Sequence, residues 1–434
     1  MKNITKSITI AMTVIFIASC DTVYLDPNST LEPDVVESTD NLIKLINGVQ
    51  QRWSTDRSGI VYNYTHISGL NTGELRLLNP GNLAENEIIL GGNDVNGGNG
   101  ILNSMWTNTM LCRKEATTVI NSSDGATEDA AISNSLKAYG LFYRALSHGT
   151  VIQVFESIPI EIIEDAQFVD RAGVLQNAIA DLVEAKGYID SGLSSSVTSG
   201  VFSSVDLGNS VNALLARFYL MNGDYNAAIT AANAVDLSVK STWAYTDAFP
   251  NPLAFLFGSQ NVTQAKNTDF GLPANLLPDP NDSRITFYTN IPDAADPANV
   301  QLLGFWTSNL DEVPVYLPGE MLLIKAEAYA RNNDLANAVT ELDAVLTKMA
   351  NADAFGVGAG LPAYSGAMDQ NSILDEVYKN RRIELYLSGL GLEDTRRFER
   401  PSSTEAGAER NRDFYPYPNA ERDNNTNTPT NPSS

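Results

Sequence analysis

Positive charge, histidine and cysteine are all scarce in this chain. Over 434 residues, 28 lysines and arginines stand against 52 aspartates and glutamates, a formal charge of −24. Nucleic-acid affinity comes largely from basic side chains neutralising phosphates, so nucleic acid is excluded as the default partner. Two histidines (His66, His148) and two cysteines (Cys20, Cys112) are too few and too scattered for a zinc site, which gathers three or four N or S ligands. Neither histidine stands beside a serine or cysteine motif; His148 reads as a helix-end side chain and Cys112 as a small buried hydrophobe. Gly356-Val357-Gly358-Ala359-Gly360 is followed by Leu361-Pro362 where a dinucleotide loop would open a helix, so it is a loop and nothing more. Asp279, Asn281 and Asp282 lack the spacing of a calcium loop and read as a turn; no cofactor is expected, and a structural calcium has no support. Nothing singles out a carboxylate pair for glycoside hydrolysis.

Long apolar runs are also missing. The longest, Ile8 to Ile17, is about half of the roughly 20 residues that a membrane-spanning helix needs. Lys2 and Lys6 precede it and Ala18-Ser19-Cys20 ends it, the layout of an export signal over residues 1–19. Ile17-Ala18-Ser19-Cys20 resembles a bacterial lipobox, which makes Cys20 the lipidated first residue of the mature chain. Residues 20–33 then read as a tether, and the acyl chains as the sole membrane attachment.

Helical periodicity dominates what remains. Leu42, Leu45, Ile46 and Val49 form one stripe, Leu136, Tyr139, Tyr143 and Leu146 a second, and Leu175, Ala178, Ile179, Leu182 and Ile189 a third. Two later segments repeat each other: Ala213 to Ile229 and Ile324 to Val339 each run helix, Asn/Gly/Asp turn, helix, and Ala228 falls on Ala338 at an offset of 110 residues. Both resemble the tetratricopeptide helix–turn–helix, in which small residues let the helices approach closely. Hairpins are therefore predicted at about 133–191, 209–236 and 318–349 within one domain spanning 34–434. Segments at about 57–103 and 240–317 are rich in Gly, Asn or Pro and read as irregular; long irregular inserts are usually functional.

Five segments, in order, are similar to the SusD/RagB family of nutrient-uptake outer-membrane lipoproteins: Ala138 to Leu146 with Phe155 and Ile158-Pro159; Asp282-Ser283-Arg284; Tyr316 to Ala328; Arg381-Arg382-Ile383-Glu384-Leu385 with Gly389, Asp394 and Arg397-Phe398; and Tyr415 to Glu421. The chain departs from the family pattern at Ser388, usually Glu, and at Gly391, usually Arg. The resemblance implies a mainly α fold, a tetratricopeptide-like hairpin scaffold whose long loop-rich inserts form the ligand face. It implies an oligosaccharide captured at the cell surface and delivered, without catalysis, to a SusC-like TonB-dependent outer-membrane transporter. The protein would be anchored by lipid in the outer membrane, facing outward. The alternatives are a lipid-anchored glycoside hydrolase, which would show turnover, and a peptide-binding scaffold or peptide-uptake lid of the same fold.

Sugar faces stack on flat rings, and such rings must reach the surface to work. Of the tryptophans, Trp106 reads as core and Trp53 is open to either role. The family's placement of its ligand face points to Tyr62, Tyr64, Glu74 and Arg76 before the repeats, and to Trp243, Tyr245 and Trp306 in the insert.

Overall fold

The computed structural model describes residues 36–255 and 262–433; the export signal, Cys20 and the tether lie outside the described residues. Helix α1 (Thr39–Ser54) carries the first apolar stripe and buries Leu42, Ile46, Val49 and Trp53. Helix α2 (Ile60–Asn71) lies inside the segment read as irregular, and this corrects that expectation. Eleven of its twelve residues are buried, so it has no polar face and no 3.6-residue alternation to betray it. Strand β1 (Leu75–Leu77) and helix α3 (Leu83–Leu90) follow, also within that segment.

A continuous stack begins at α4 (Gly100–Ser122) and α5 (Ala130–Val151). After the short β2 (Ser157–Pro159) and β3 (Phe168–Asp170) come α6 (Arg171–Asp190), α7 (Leu207–Asn222) and α8 (Tyr225–Asn233). From α4 to α8 each helix packs on the next. The insert then runs through β4 (Thr242–Trp243), β5 (Thr263–Ala265), α9 (Ser283–Tyr288), β6 (Thr289–Asn290), β7 (Gln301–Leu302) and β8 (Val313–Pro314). The stack resumes on α8 with α10 (Pro318–Arg331), α11 (Leu335–Leu346) and α12 (Gln370–Glu384), and α13 (Gly391–Arg397) packs between α12 and α2.

Among the described residues the sheet content is four antiparallel pairs, β1–β5, β2–β3, β4–β8 and β6–β7. Of these, β1–β5 joins the insert to the segment after α2, whereas β4–β8 and β6–β7 lie within the insert. In β1–β5, Leu75 faces Ala265, Arg76 faces Gln264 and Leu77 faces Thr263.

The two repeated hairpins share their turn to the atom. Gly223 (φ 83°) and Asn333 (φ 60°) take the left-handed conformation that suits glycine and asparagine. The amide of Asp224 donates to Tyr219 O (2.9 Å), and that of Asp334 to Tyr329 O (2.8 Å), the same closing bond 110 residues apart. Ala228 and Ala338 are fully buried where the paired helices meet. Part of the acidic excess has a local use, since Asp129, Asp170, Asp206, Asp334 and Asp369 cap α5, α6, α7, α11 and α12.

The motif segments meet in buried ion pairs. Arg284, wholly enclosed, donates to both Asp282 oxygens (2.9 and 2.6 Å), to Glu384 (3.0 Å) and to Asn380 (2.7 Å). Arg397 clasps Glu327 (2.8 and 2.9 Å), and Arg381 clasps Asp394 (both 3.0 Å). These residues tie the insert to α12 and α10 to α13. They are structural.

Candidate functional site

Two very different cavities flank β1 and the insert. The larger is an open groove of about 1040 Å³, at the upper end of the usual ligand-site range. Three segments line it. The first is the end of α2 with β1 and α3, contributing Asn71, Arg76 and Asn86. The second, directly after β5, contributes Lys266, Asn267 and Asp269, and the third is the loop after α13, with Thr404, Arg410 and Asn411. Among the described residues no aromatic ring lines it. Its polar groups are amides, hydroxyls, guanidinium, ammonium and carboxylate, the donors and acceptors that meet ligand hydroxyls.

Local folding aims these groups. The β1–β5 register places Arg76 beside Gln264, to which its Nη2 donates (2.6 Å), and Gln264 in turn donates to Asn299 Oδ1 (2.9 Å). Asn411 is clamped by donating to the carbonyls of Ile88 and Ile89 (2.8 Å each), which fixes the loop after α13 against α3. Glu409 also borders the groove, but its carboxylate is engaged by Arg400 (2.7 Å) and by the Tyr378 hydroxyl (2.6 Å). Asp269 accepts from Asn267 (2.6 Å).

The smaller cavity holds about 90 Å³, well below the roughly 300 Å³ of a small-molecule site. Trp53, Tyr64, Trp243, Phe305 and Trp306 wall it, with the Arg217–Glu320 ion pair (2.6 Å) at its side.

The seven candidate ligand residues therefore separate. Arg76 borders the groove. Tyr64, Trp243 and Trp306 border the small cavity instead. The three insert rings expected to form a surface stacking platform do not: Trp243, Tyr245 and Trp306 are only 4, 7 and 4 % exposed. Trp243 is pinned in the β4–β8 ladder opposite Val313 and lies 6.2 Å from the Trp53 ring. Trp306 stacks on Tyr288 at 5.8 Å and meets Tyr386 edge-on. Tyr62 is enclosed in α2, its hydroxyl 3.3 Å from Glu85. Glu74 is buried against Arg382 (3.3 Å), and burial, outweighing that guanidinium, pushes its carboxyl up to about 7. A cavity of about 90 Å³ leaves the rings that wall it no room to stack on a sugar.

At Gly391, where the sequence resemblance leads to an arginine, a buried ion pair fills the space. A Cβ at 391 would come within 2.3 Å of Arg382 Nη1 and 2.9 Å of Glu74 Oε1, so the buried pair occupies the space of a side chain. Both histidines are interior, and burial lowers each to about 3. His66 bonds through its two ring nitrogens to Tyr62 O and Thr263 Oγ1. Trp106 is core, its indole donating to Glu421 (3.2 Å). Cys112 is fully buried, and Asp279 accepts from the Asn281 amide (2.8 Å) in a turn. Sequence reasoning missed the third wall. Ser402 to Ala408, a run of small and polar residues between two motif segments, was the available signal.

The model of the SusD family matches residues 307–433. No curated protein matches the chain. Among solved structures, a SusD homologue from Bacteroides thetaiotaomicron superposes with a TM-score of 0.71 at 12% identity, covering 93% of this chain and 99% of that one. A SusD-like carbohydrate-binding protein from Bacteroides vulgatus gives 0.68 at 18% identity, with 84% of each chain covered. A laminarin-binding SusD-like protein gives 0.61 at 16% identity, covering 91% and 99%. At these identities the likeness is one of fold.

Proposed function

We propose that this chain is a member of the SusD family that captures an oligosaccharide in the groove beside β1 and β5 and releases it unchanged to a partner. The observation that carries the reading is the groove itself, about 1040 Å³ of open volume walled by amide, hydroxyl and charged side chains. Polyhydroxylated ligands are held by such groups, and a groove open at its side suits a chain longer than one sugar. Carbohydrate-binding and laminarin-binding proteins of the same fold support the ligand class.

Binding without turnover is the consistent mechanism. Glycoside hydrolysis needs two carboxyl groups flanking one bond. Of the two carboxylates that border the groove, Glu409 is already held by Arg400 and Tyr378. The receiving partner in this reading is a SusC-like TonB-dependent transporter, with the protein held at the outer membrane through Cys20. No described helix is long and apolar enough to cross a membrane, which is consistent with a lipid anchor.

A glycan array on the purified protein tests the reading. Retention of oligosaccharides with no release of reducing ends supports it, whereas turnover makes the protein an enzyme and exclusive retention of peptides makes it a peptide binder. Co-purification with the transporter and loss of acyl labelling in Cys20→Ala test partner and anchor.

A further inference from the structure

One wall of the groove carries two neighbouring cations, Arg76 and Lys266, that form no ion pair among the described residues. Among the described residues most arginines meet a carboxylate, as Arg144 meets Asp181 (2.7 Å) and Arg217 meets Glu320 (2.6 Å). Arg113, Arg412 and Arg422, which do not, donate to backbone carbonyls, and Arg422 also to Asn431 Oδ1 (2.7 Å). Arg76 also lacks a carboxylate partner, and of these four arginines it is the one that borders the groove. Its hydrogen bond goes to a neutral side-chain amide, Gln264, and its Nε is enclosed without a partner. Lys266 is exposed, borders the same groove, and forms no ion pair among the described residues. Its amide donates to Glu74 O (3.0 Å), which continues the β1–β5 ladder and sets Lys266 two residues along from the partner of Arg76. The third cation of the groove, Arg410, is taken by Asp413 and by the carbonyls of Thr395 and Arg400.

In a chain of net charge −24, acidic partners are abundant, yet two neighbouring cations on one wall of the groove have none. We infer that the ligand supplies the missing anion: the groove takes an acidic oligosaccharide, whose oxyanion sits between Arg76 and Lys266. This rests on oligosaccharide capture in the groove and narrows it. Carboxylate and sulfate share the chemistry, a planar or tetrahedral oxyanion that a guanidinium fork can grip by two bonds. The acidic remainder of the surface repels such a ligand at long range, so the selectivity is local and rests on these two side chains.

The test is calorimetric titration of the purified protein with three probes of matched length: an oligogalacturonide, a chondroitin sulfate oligosaccharide and a neutral laminari-oligosaccharide. At least one charged probe is expected to bind about tenfold more tightly than the neutral one, the ordinary worth of one charge-assisted bond. The galacturonide and sulfate arms tell which oxyanion is used. In the double variant Arg76→Met, Lys266→Met that preference should fall to near unity, and Arg76→Lys should retain part of it. Melting temperatures of the variants establish that they fold. Equal or tighter binding of the neutral probe, or a charged preference that survives the double variant, overturns the inference and leaves oligosaccharide capture standing. Binding of no probe overturns the inference, and an empty glycan array as well would overturn the capture reading.

Discussion

The absence of a side chain at Gly391 leaves room for a buried ion pair. Arg382 lies in the interior, donating to Thr72 O, Phe270 O and Thr72 Oγ1 beside Glu74, and it has nowhere to move. Gly391→Ala is expected to cost about 1–3 kcal/mol, the usual overpacking penalty, read as a shifted denaturation midpoint. Glu74 has its own signature. An acid whose folded value is raised from 4.5 to about 7 holds its proton more firmly in the folded chain. Its contribution to stability therefore falls as pH rises from 4.5 through 7. Glu74→Gln mimics the protonated form, so its stability relative to wild type should improve steadily across that window; a flat difference would mean that Glu74 is ionised throughout. Trp306→Ala should behave as a core truncation, lowering stability by about 3–5 kcal/mol. A melting temperature equal to wild type would return Trp306 to the surface role that its burial denies.

At the scale of elements, the hairpins α7–α8 and α10–α11 rest on the same construction. A left-handed residue closes each turn, and a buried alanine sets the approach of the second helix. Asn332 donates to Asn226 (3.0 Å), locking one hairpin to the other. Ala228→Leu or Ala338→Leu should each cost about 1–3 kcal/mol. If either variant unfolds at the wild-type midpoint, that helix pair has more room than the structure shows. The helix α2 carries the opposite lesson. Ile60 to Asn71 is apolar or enclosed on every side, so period-based reading has nothing to grip. The glycine- and asparagine-rich residues that follow hid it further.

The whole molecule should be sensitive to acid. Burial lowers His66 and His148 from 6.5 to about 3, so the unfolded chain takes up protons that the folded one refuses. Stability is consequently lost as pH falls from 6.5 toward 3. Burial works against the charge of Glu327, yet Arg397, Arg331 and Arg381 together hold it down to about 2. Its share of stability is present above 4.5 and lost as pH drops from there to 2. Chemical denaturation at stepped pH should show a steep decline below about 6, and His66→Gln should shallow it between 6.5 and 3.

Much of this was legible in the residues alone, because it depends on local order along the chain. Stripes at helical spacing, the 110-residue echo and the ordered motif segments are all read from neighbours in sequence, and they carried the helical class and the resemblance to the SusD family. Which aromatics face outward is another matter. Trp243 is buried because β8, some seventy residues later, pairs with β4, and Trp306 because Tyr288 and Tyr386 close over it. The groove likewise joins segments near residues 76, 266 and 410 that share no local pattern. Burial and convergence are properties of distant chain segments meeting, so the tertiary structure alone decided which candidate residues border open space: Arg76 does, while Trp243, Tyr245 and Trp306 form part of the core.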